Sequence, residues 1–320
     1  MRIVSQPTEL GRDRPIVLAI GNFDGVHRGH QYVLSCLIDD ARRHRAASGV
    51  LTFRPHPRVV LLPESPRSFI TTANQQQRLL TECGIDVLIQ QPFTKELAAM
   101  PAEGYVRSLV DSLCLRAVWV GDDFKFGHGR SGTADVLRSL GDRLGFAVHA
   151  LERQKYGAET MSSSRIRGAI EAGDVTTAEK LLGRRYELEG VLVAGDQRGR
   201  TIGVPTANLE PVADSCIPAN GVYYCVAIVD GTAWPAATNV GVRPTVGGQR
   251  RTIEAHLLDF TGDLYGKRMA LRFARRLRAE QTFDTLADLV AQIHRDIAQT
   301  REQWLTDQAL LKASLPTGSA

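Results

Sequence analysis

Two histidines spaced three residues apart, His27 and His30, are the side chains of this sequence best placed to do chemistry. They follow an unbroken apolar run over residues 16–20 and a turn-forming segment over residues 21–25. Apolar residues then recur at helical spacing, which predicts a helix that begins near Arg28 and carries both imidazoles on one face of its first turn. Free backbone N–H groups and the helix dipole favour an anion at such a helix start. The pattern therefore predicts a phosphate site where a buried strand leads into a helix.

A single histidine at a helix start is more often an ordinary surface residue, but this pair follows a strand and a glycine-rich turn. The stretch GNFDGVHRGH resembles the opening of the bacterial bifunctional riboflavin kinase and FAD synthetase family, and HRGH resembles the HxGH signature of nucleotidyltransferases. The resemblance implies that His27 and His30 are catalytic. It also implies a nucleotide-binding role for four residues of the preceding turn, Gly21, Phe23, Asp24 and Gly25.

Length and composition indicate an ordinary globular protein with room for about two domains. The chain has 320 residues, of which 43% are hydrophobic and 23% are charged. The net charge of +4 is mild and the basic residues are spread along the chain, so nucleic-acid binding is not expected. Anionic small molecules are compatible with this charge.

Cysteine usage and hydropathy indicate a cytoplasmic protein. The five cysteines are odd in number, scattered and without a CxxC pair, so neither a disulfide framework nor a zinc site is expected. The first residues lack the apolar core of a secretory signal, and no apolar run is long enough for a membrane span. We therefore expect no membrane association, and the sequence leaves self-association open.

Strands and helices alternate through the first half of the chain. Beyond the histidine helix, strands are expected at residues 49–53, 87–89 and 117–120, with helices at residues 74–83 and 101–113 between them. This order predicts a Rossmann-like α/β domain over residues 1–183, in which a parallel sheet carries helices on both faces. Ligands of such sheets bind beyond the carboxyl ends of the strands.

The loop over residues 121–133 follows one of these strands. Its four glycines alone are compatible with a plain surface loop. The loop resembles the GxxFxFGxxRxG segment of FAD synthetases, which implies that Asp123, Phe124 and Arg130 contribute to the nucleotide and flavin pocket. Thr133 stands where an acidic residue is common in the family.

The segment MSSSRIR, residues 161–167, has the serine-rich start of a helix, where a hydroxyl often serves only as a cap. It resembles the SSTxIR motif of the family, with Ser164 in place of threonine. The resemblance implies that Ser163 and Ser164 bind the nucleotide and that Arg167 meets the triphosphate.

The second half changes character near Gly183. Short strands at residues 186–193, 222–229, 253–258 and 269–277 are separated by glycines and prolines, which predicts a small antiparallel β-barrel. The last of these is rich in arginine, but its alternating apolar positions favour a strand with one solvated face over a phosphate patch. A helix over residues 286–312 completes a domain expected at residues 184–311, and residues 312–320 are expected to form a disordered tail.

A glycine-rich stretch ending in PTAN lies inside this β domain. From residue types alone it is either a hairpin connection or a site where the oxygens of Thr206 and Asn208 bind Mg²⁺. It resembles the nucleotide and magnesium signature of riboflavin kinases, which implies roles for Gly199, Thr206 and Asn208. Three later segments, residues 221–223, 238–245 and 253–260, also match that family. They imply nucleotide or flavin binding by Asn239 and a catalytic base at Glu254.

The combined resemblance implies an enzyme with two active sites. The β domain would phosphorylate riboflavin with ATP to give FMN, and the α/β domain would adenylylate FMN to give FAD with release of pyrophosphate, both with Mg²⁺. Two other readings remain open. HRGH and MSSSR also resemble the paired signatures of class I aminoacyl-tRNA synthetases, although no tRNA-binding domain is evident. The chain could also be a non-catalytic flavin-binding protein derived from such an enzyme.

Overall fold

The computed structural model describes the whole chain except residues 66, 153, 157–158, 195–202, 246–247 and 315–320. The chain forms two compact units. The first comprises Met1–Arg67 and Thr71–Ser163, and the second comprises Ser68–Ile70 and Ser164–Ala320. No helix among the described residues is both long and apolar enough to cross a bilayer.

The first unit is built on one parallel sheet of six strands in the order β1-β4-β3-β2-β5-β6. The strands are β1 Arg2–Val4, β2 Pro15–Ile20, β3 Ala47–Arg54, β4 Val87–Pro92, β5 Cys114–Gly121 and β6 Ala147–Leu151. The helices between them are α1 Arg28–Arg43, α2 Pro57–Leu61, α3 Ala73–Glu82, α4 Lys95–Ala99, α5 Ala102–Ser112 and α6 Ala134–Leu144. A short hairpin, β7 Lys155–Tyr156 and β8 Glu159–Thr160, follows the sheet.

Both faces of the sheet are buried, as predicted from the apolar run in β2. Ile16, Leu18 and Ile20 belong to one hydrophobic cluster, whereas Val17 and Ala19 belong to a second. Because successive side chains of a strand point to opposite faces, an unbroken apolar strand packs helices on both sides. The predicted parallel α/β architecture is confirmed.

From Ser164 onward the second unit contains helix α7 Ser163–Glu171, apart from its first residue, and helix α8 Val175–Leu182. The chain then continues into a closed antiparallel barrel of order β10-β13-β12-β11-β14-β9. Its strands are β9 Tyr186–Val193, β10 Ala207–Pro211, β11 Gly221–Val229, β12 Thr232–Thr245, β13 Gly248–Leu257 and β14 Arg268–Arg278. Helix α9, Leu286–Ser314, ends the described chain. The predicted barrel and C-terminal helix are confirmed. The tail expected from residue 312 overlaps the end of α9, and residues 315–320 lie outside the described part.

Alternation in the barrel strands explains their sequence patterns. In the arginine-rich strand β14, Met269, Leu271 and Phe273 are buried, which agrees with the prediction of a strand with one solvated face. In β13, Ile253 and Ala255 are buried whereas the residues between and after them are only partly covered. The barrel therefore displays polar side chains on its outer face over a packed interior.

Candidate active sites

The two histidines of the first unit lie together at the start of α1. Their rings are stacked with centroids 3.6 Å apart, and the ring of Phe23 lies 5.1 Å from that of His30. His27 is almost fully buried and is also the N-cap of the helix, since its Nδ1 accepts the backbone N–H of His30 at 3.3 Å. A Cβ at Gly29 would lie 3.1 Å from the His27 ring, so glycine lets the imidazole lie against the helix. The pair forms a preorganised imidazole surface at the end of a buried strand.

The loop between β2 and α1 is held by Asp24. Phe23 and Val26 both have positive φ angles, 49° and 37°, which non-glycine residues seldom adopt. The buried Asp24 Oδ1 accepts hydrogen bonds from the backbone N–H of Thr71 at 3.1 Å and from its hydroxyl at 3.3 Å. Gly25 N–H donates to the same hydroxyl at 3.0 Å. These contacts show Asp24 and Gly25 bracing the loop through Thr71, and their direct contact with a nucleotide stays a prediction.

A further chain of hydrogen bonds supports the same loop and has no counterpart in the sequence motifs. Gln76 of α3 donates to the backbone oxygen of Asn22 at 2.7 Å, and Thr52 donates to that oxygen at 3.3 Å. Arg54, at the carboxyl end of β3, donates to Gln76 Oε1 at 3.0 Å. Burial lowers the pKa of the Arg54 guanidinium, and the charge of Asp24 opposes that shift.

The loop after β5 is closed by two backbone hydrogen bonds between Phe126 and Gly132. The ring of Phe124 stacks on that of Phe126 with centroids 5.3 Å apart, and a Cβ at Gly132 would meet the Phe126 ring at 2.6 Å. Asp123 and Arg130 are exposed on this loop. Thr133 caps α6 by accepting Val136 N–H at 3.2 Å, so the residue that departs from the family pattern has a helix-capping role.

The serine-rich segment begins α7, as predicted. The Ser163 hydroxyl donates to the backbone oxygen of Asp24 at 2.9 Å and so contacts the loop that precedes the histidines. The boundary between the two compact units falls after this residue, so Ser164 and Arg167 belong to the second unit. A meeting of Arg167 with the histidines stays a prediction.

The predicted kinase residues come together on the outer face of the barrel. Glu254 of β13 is directly opposite Asn208 of β10 on one side and Asn239 of β12 on the other. Directly opposite residues in antiparallel strands share a face with Cβ atoms about 5 Å apart. Thr206 Oγ1 lies 3.5 Å from Glu254 Oε2. Four residues proposed from scattered sequence motifs therefore form one cluster, which we call the Glu254 cluster.

Neighbouring residues make this cluster rigid. The inward-facing residues beside it, Ala255 and Thr238, are fully buried in the barrel interior. His256 Nδ1 lies 2.8 Å from the backbone oxygen of Pro205, which holds the segment leading to Thr206 against β13. Gly199 lies outside the described residues.

Comparison with known proteins shows the family of the chain. A family model for FAD synthetase matches residues 10–165, and one for riboflavin kinase matches residues 182–304. The bifunctional riboflavin kinase/FMN adenylyltransferase of Pseudomonas fluorescens is 39% identical over 290 residues, which cover 90% of this chain and 93% of that protein. This chain belongs to that family. The homologue of the same name from Bacillus subtilis is 33% identical, covering 88% of this chain and 90% of that protein.

The fold of this chain also occurs in a solved structure. A crystal structure described as a macrolide-efflux protein from Streptococcus pneumoniae has 30% sequence identity and a TM-score of 0.86, covering 93% of this chain and 98% of that one. Membership in this family of bifunctional transferases confirms the prediction that the chain is an enzyme. It does not support the alternative of a non-catalytic flavin-binding protein.

Three residues that support the first site were not revealed by the sequence motifs. Thr71, Gln76 and Arg54 support the loop before the histidines but lie far from it along the chain. Their residue types are ordinary and carry no spacing signal. Only the carboxyl edge of the parallel sheet, which gathers the ends of β2 and β3, could have suggested Arg54.

Proposed function

We propose that the closed barrel phosphorylates riboflavin to FMN and that the parallel-sheet unit adenylylates FMN to FAD. The two family matches support both activities and their order along the chain. The observation that carries the assignment is the Glu254 cluster, in which a carboxylate lies between two asparagines beside a threonine hydroxyl. We assign the adenylylation chemistry to residues 1–183 and the kinase chemistry to residues 184–311.

In the kinase reaction Glu254 acts as the general base. Its carboxylate accepts the proton of the terminal ribityl hydroxyl while that oxygen forms a bond to the γ-phosphorus of ATP. The bond from this phosphorus to the bridging oxygen breaks, and ADP leaves. Phosphoryl transfer depends mainly on positioning and on neutralising charge, so Asn208 and Asn239 contribute by holding the reacting groups beside Glu254.

The donor atoms of the Glu254 cluster suit Mg²⁺. Thr206 and Asn208 supply hydroxyl and amide oxygens, and the carboxylate of Glu254 lies 3.5 Å from the hydroxyl. Mg²⁺ favours oxygen ligands and usually keeps several waters and substrate phosphates. Thr206 and Asn208 would hold the ion, which would neutralise phosphate charge. The described residues contain no group of three or more histidine, cysteine or acidic ligands suited to a metal, so the site differs from a dedicated metal cage.

In the adenylylation reaction an FMN phosphate oxygen attacks the α-phosphorus of ATP and pyrophosphate leaves. The attacking group is already an anion, so the protein needs little base catalysis and must instead neutralise the charge that develops on pyrophosphate. We assign that role to His27, His30 and Arg167. The braced loop with Gly21 and Gly25 lets phosphate oxygens approach the backbone closely.

The remaining assignments follow from these substrates. Phe23, Asp123, Phe124 and Arg130 would contact FMN or the adenine nucleotide, and Ser163 and Ser164 the phosphates. We propose ATP, riboflavin and FMN as the partners, with no nucleic acid. Because both reactions consume ATP, we place them in the cytoplasm.

The test is a turnover assay on the full chain with riboflavin, ATP and Mg²⁺, which follows FMN and FAD separately. Glu254→Gln keeps the shape of the side chain but removes the proton acceptor, so FMN formation should fall by about 10² to 10⁴. FAD formation from supplied FMN should continue at the wild-type rate in the same preparation. Near-normal FMN formation by this variant would remove Glu254 from the mechanism, and absence of FMN with the wild-type chain would reject the kinase assignment.

A further inference from the structure

A second carboxylate, that of Glu280, lies over the same outer face of the barrel as the Glu254 cluster. In β12, Thr238 and Val240 are fully buried in the interior, so Asn239 and Gly241 point outward. A Cβ at Gly241 would lie 2.8 Å from Glu280 Oε1 and 3.3 Å from Asn239 Nδ2. The Glu280 carboxylate therefore occupies the space that a side chain at position 241 would fill, beside Asn239.

Glu280 is exposed, but its carboxylate is held in place from one side. Asn220 donates from Nδ2 to Glu280 Oε2 at 3.0 Å. Asn220 is itself fixed, because Arg251 donates to its side-chain oxygen at 3.1 Å and Arg276 donates to its backbone oxygen at 2.6 Å. The hydrogen bond from Asn220 engages Oε2, and Oε1 is the oxygen directed toward Gly241.

The strand directions give the Glu254 cluster two distinct sides. Strands β10 and β12 are both antiparallel to β13 and therefore run the same way. Asn208, Glu254 and Asn239 form one row across the three strands. Thr206 comes two residues before Asn208, whereas Gly241 comes two residues after Asn239. Thr206 and Gly241 therefore lie on opposite sides of this row. Two residues of extended chain span about 7 Å, which is the distance from the Cα atom of each of them to the Cα atom of the asparagine two residues along the chain. The magnesium ligand proposed above is thus on one side of the base, and Glu280 is on the other.

We propose that the Glu280 carboxylate binds the secondary hydroxyls of the ribityl chain of riboflavin and directs the chain away from the nucleotide. The inference rests on the proposed kinase function, in which the terminal hydroxyl meets Glu254. The phosphate donor approaches from the Thr206 side, so the acceptor chain extends toward Gly241. A fixed carboxylate there accepts hydrogen bonds from hydroxyl groups and disfavours a phosphate, which keeps the two substrates in their proper places.

The test compares riboflavin with a flavin whose side chain is an unbranched hydroxypentyl group, which keeps the terminal hydroxyl and lacks the secondary ones. The full chain is assayed as wild type, Glu280→Ala, Gly241→Ala and Glu302→Ala. Glu302 is an exposed carboxylate of α9 in the same unit and serves as the matched control. In Gly241→Ala the new methyl group would lie 2.8 Å from Glu280 Oε1 and therefore displaces the carboxylate while its charge is retained.

Glu280→Ala should raise the KM for riboflavin about tenfold, the loss expected for one hydrogen bond to a charged group, with kcat and the KM for ATP little changed. Gly241→Ala should shift the same KM in the same direction, and Glu302→Ala should not. With the hydroxypentyl flavin, wild type and Glu280→Ala should have equal KM values. An unchanged thermal midpoint of the second unit shows that the barrel of each variant is folded, and FAD formation from supplied FMN shows that the first unit is intact.

Two results would overturn the inference. Either the riboflavin KM is unchanged in a folded Glu280→Ala, or that variant raises the KM for both flavins equally, which would show that the ribityl hydroxyls are not what Glu280 binds. Failure of the proposed function is a separate result, because it would show as no FMN formation by the wild-type chain with either acceptor.

Discussion

Removal of helix α8 should unfold the barrel even though the proposed kinase residues all lie beyond it. A fragment over residues 184–320 keeps Glu254 and its neighbours, whereas a fragment over residues 164–320 also keeps α7 and α8. Val175, Leu181 and Leu182 of α8 are at most 1% exposed, and α8 packs against β9 and β14 of the barrel. Burial of a Val or Leu side chain contributes about 1.5 to 3 kcal/mol, so loss of the three costs on the order of 5 kcal/mol. That is comparable with the entire stability of a typical domain.

The helix also carries polar contacts that the shorter fragment loses. Glu179 Oε1 of α8 lies 3.6 Å from Arg185 Nε. Arg185 also forms an ion pair with Asp307 of α9, in which Nη2 lies 2.7 Å from Oδ2. Burial raises the pKa of Glu179, whereas the charge of Arg185 lowers it, so this pair adds less than the apolar contacts. The apolar loss therefore determines the expected outcome.

Urea unfolding followed by the fluorescence of Trp234 and Trp304 measures the difference between the fragments. The 164–320 fragment should unfold cooperatively and make FMN, and the 184–320 fragment should be largely unfolded without denaturant. In the full chain, Leu181→Ala should destabilise the second unit by about 2 to 5 kcal/mol. The exposed Thr176→Ala should change it by less than about 0.5 kcal/mol. Equal urea midpoints for the two fragments would refute the reasoning and support an independent domain that begins at the predicted boundary after Gly183.

Two further predictions concern the first active site and the cap of α8. His30→Ala should lower FAD formation about 10² to 10³-fold, the loss typical of one preorganised charge-stabilising donor, while FMN formation persists. The backbone N–H of residue 30 can still donate to His27 Nδ1, so the variant keeps this helix cap. Equal loss of FMN and FAD formation would therefore indicate misfolding and not the loss of a charge-stabilising donor. Asp174 caps α8 by accepting Thr177 N–H at 2.9 Å, and hydrogen bonds from Thr177 lower the pKa of the Asp174 carboxyl. Asp174→Ala should therefore cost about 1 kcal/mol at pH 7. Because the pKa of this carboxyl is lower in the folded protein than in the unfolded chain, the difference from wild type in urea midpoint should begin to shrink as the pH falls below about 4, the unfolded value, and should vanish only below the lowered pKa of the folded state. A difference that stays unchanged from pH 7 down to about pH 2 would contradict the charged-cap explanation.

The sequence predicted those elements whose apolar pattern is unbroken or strictly periodic. β2 and β9 were expected within one residue of their observed ends, and α1 was expected to begin at Arg28, as it does. The end of α1 carries no such signal: the helix stops at Arg43 because Arg45 has a positive φ angle and the chain enters β3 at Ala47. Local periodicity does not encode such a turn.

The elements that escaped prediction have patterns that local rules assign to loops. β12 contains Pro235, which lacks a backbone N–H and normally argues against a central strand, yet β12 pairs along both edges. The carbonyl of Pro235 still accepts Leu258 N–H at 2.9 Å, and the pairing of β12 with β11 continues past Pro235 to Thr232. β6 is an edge strand with only half-buried side chains and therefore has a weak apolar signal.

The same contrast explains which site residues could be found from the sequence. His27 and His30 are neighbours on one helical turn, so their spacing alone indicated a common role. Glu254 and Asn239 were found only through family motifs, because their proximity depends on the register between β12 and β13. Glu280 lies beyond β14 and comes beside Asn239 only because Gly241 leaves space for its carboxylate. A glycine that does not require a positive φ angle can thus mark a position where another chain segment must approach, and the partner in that approach becomes visible only in the folded barrel.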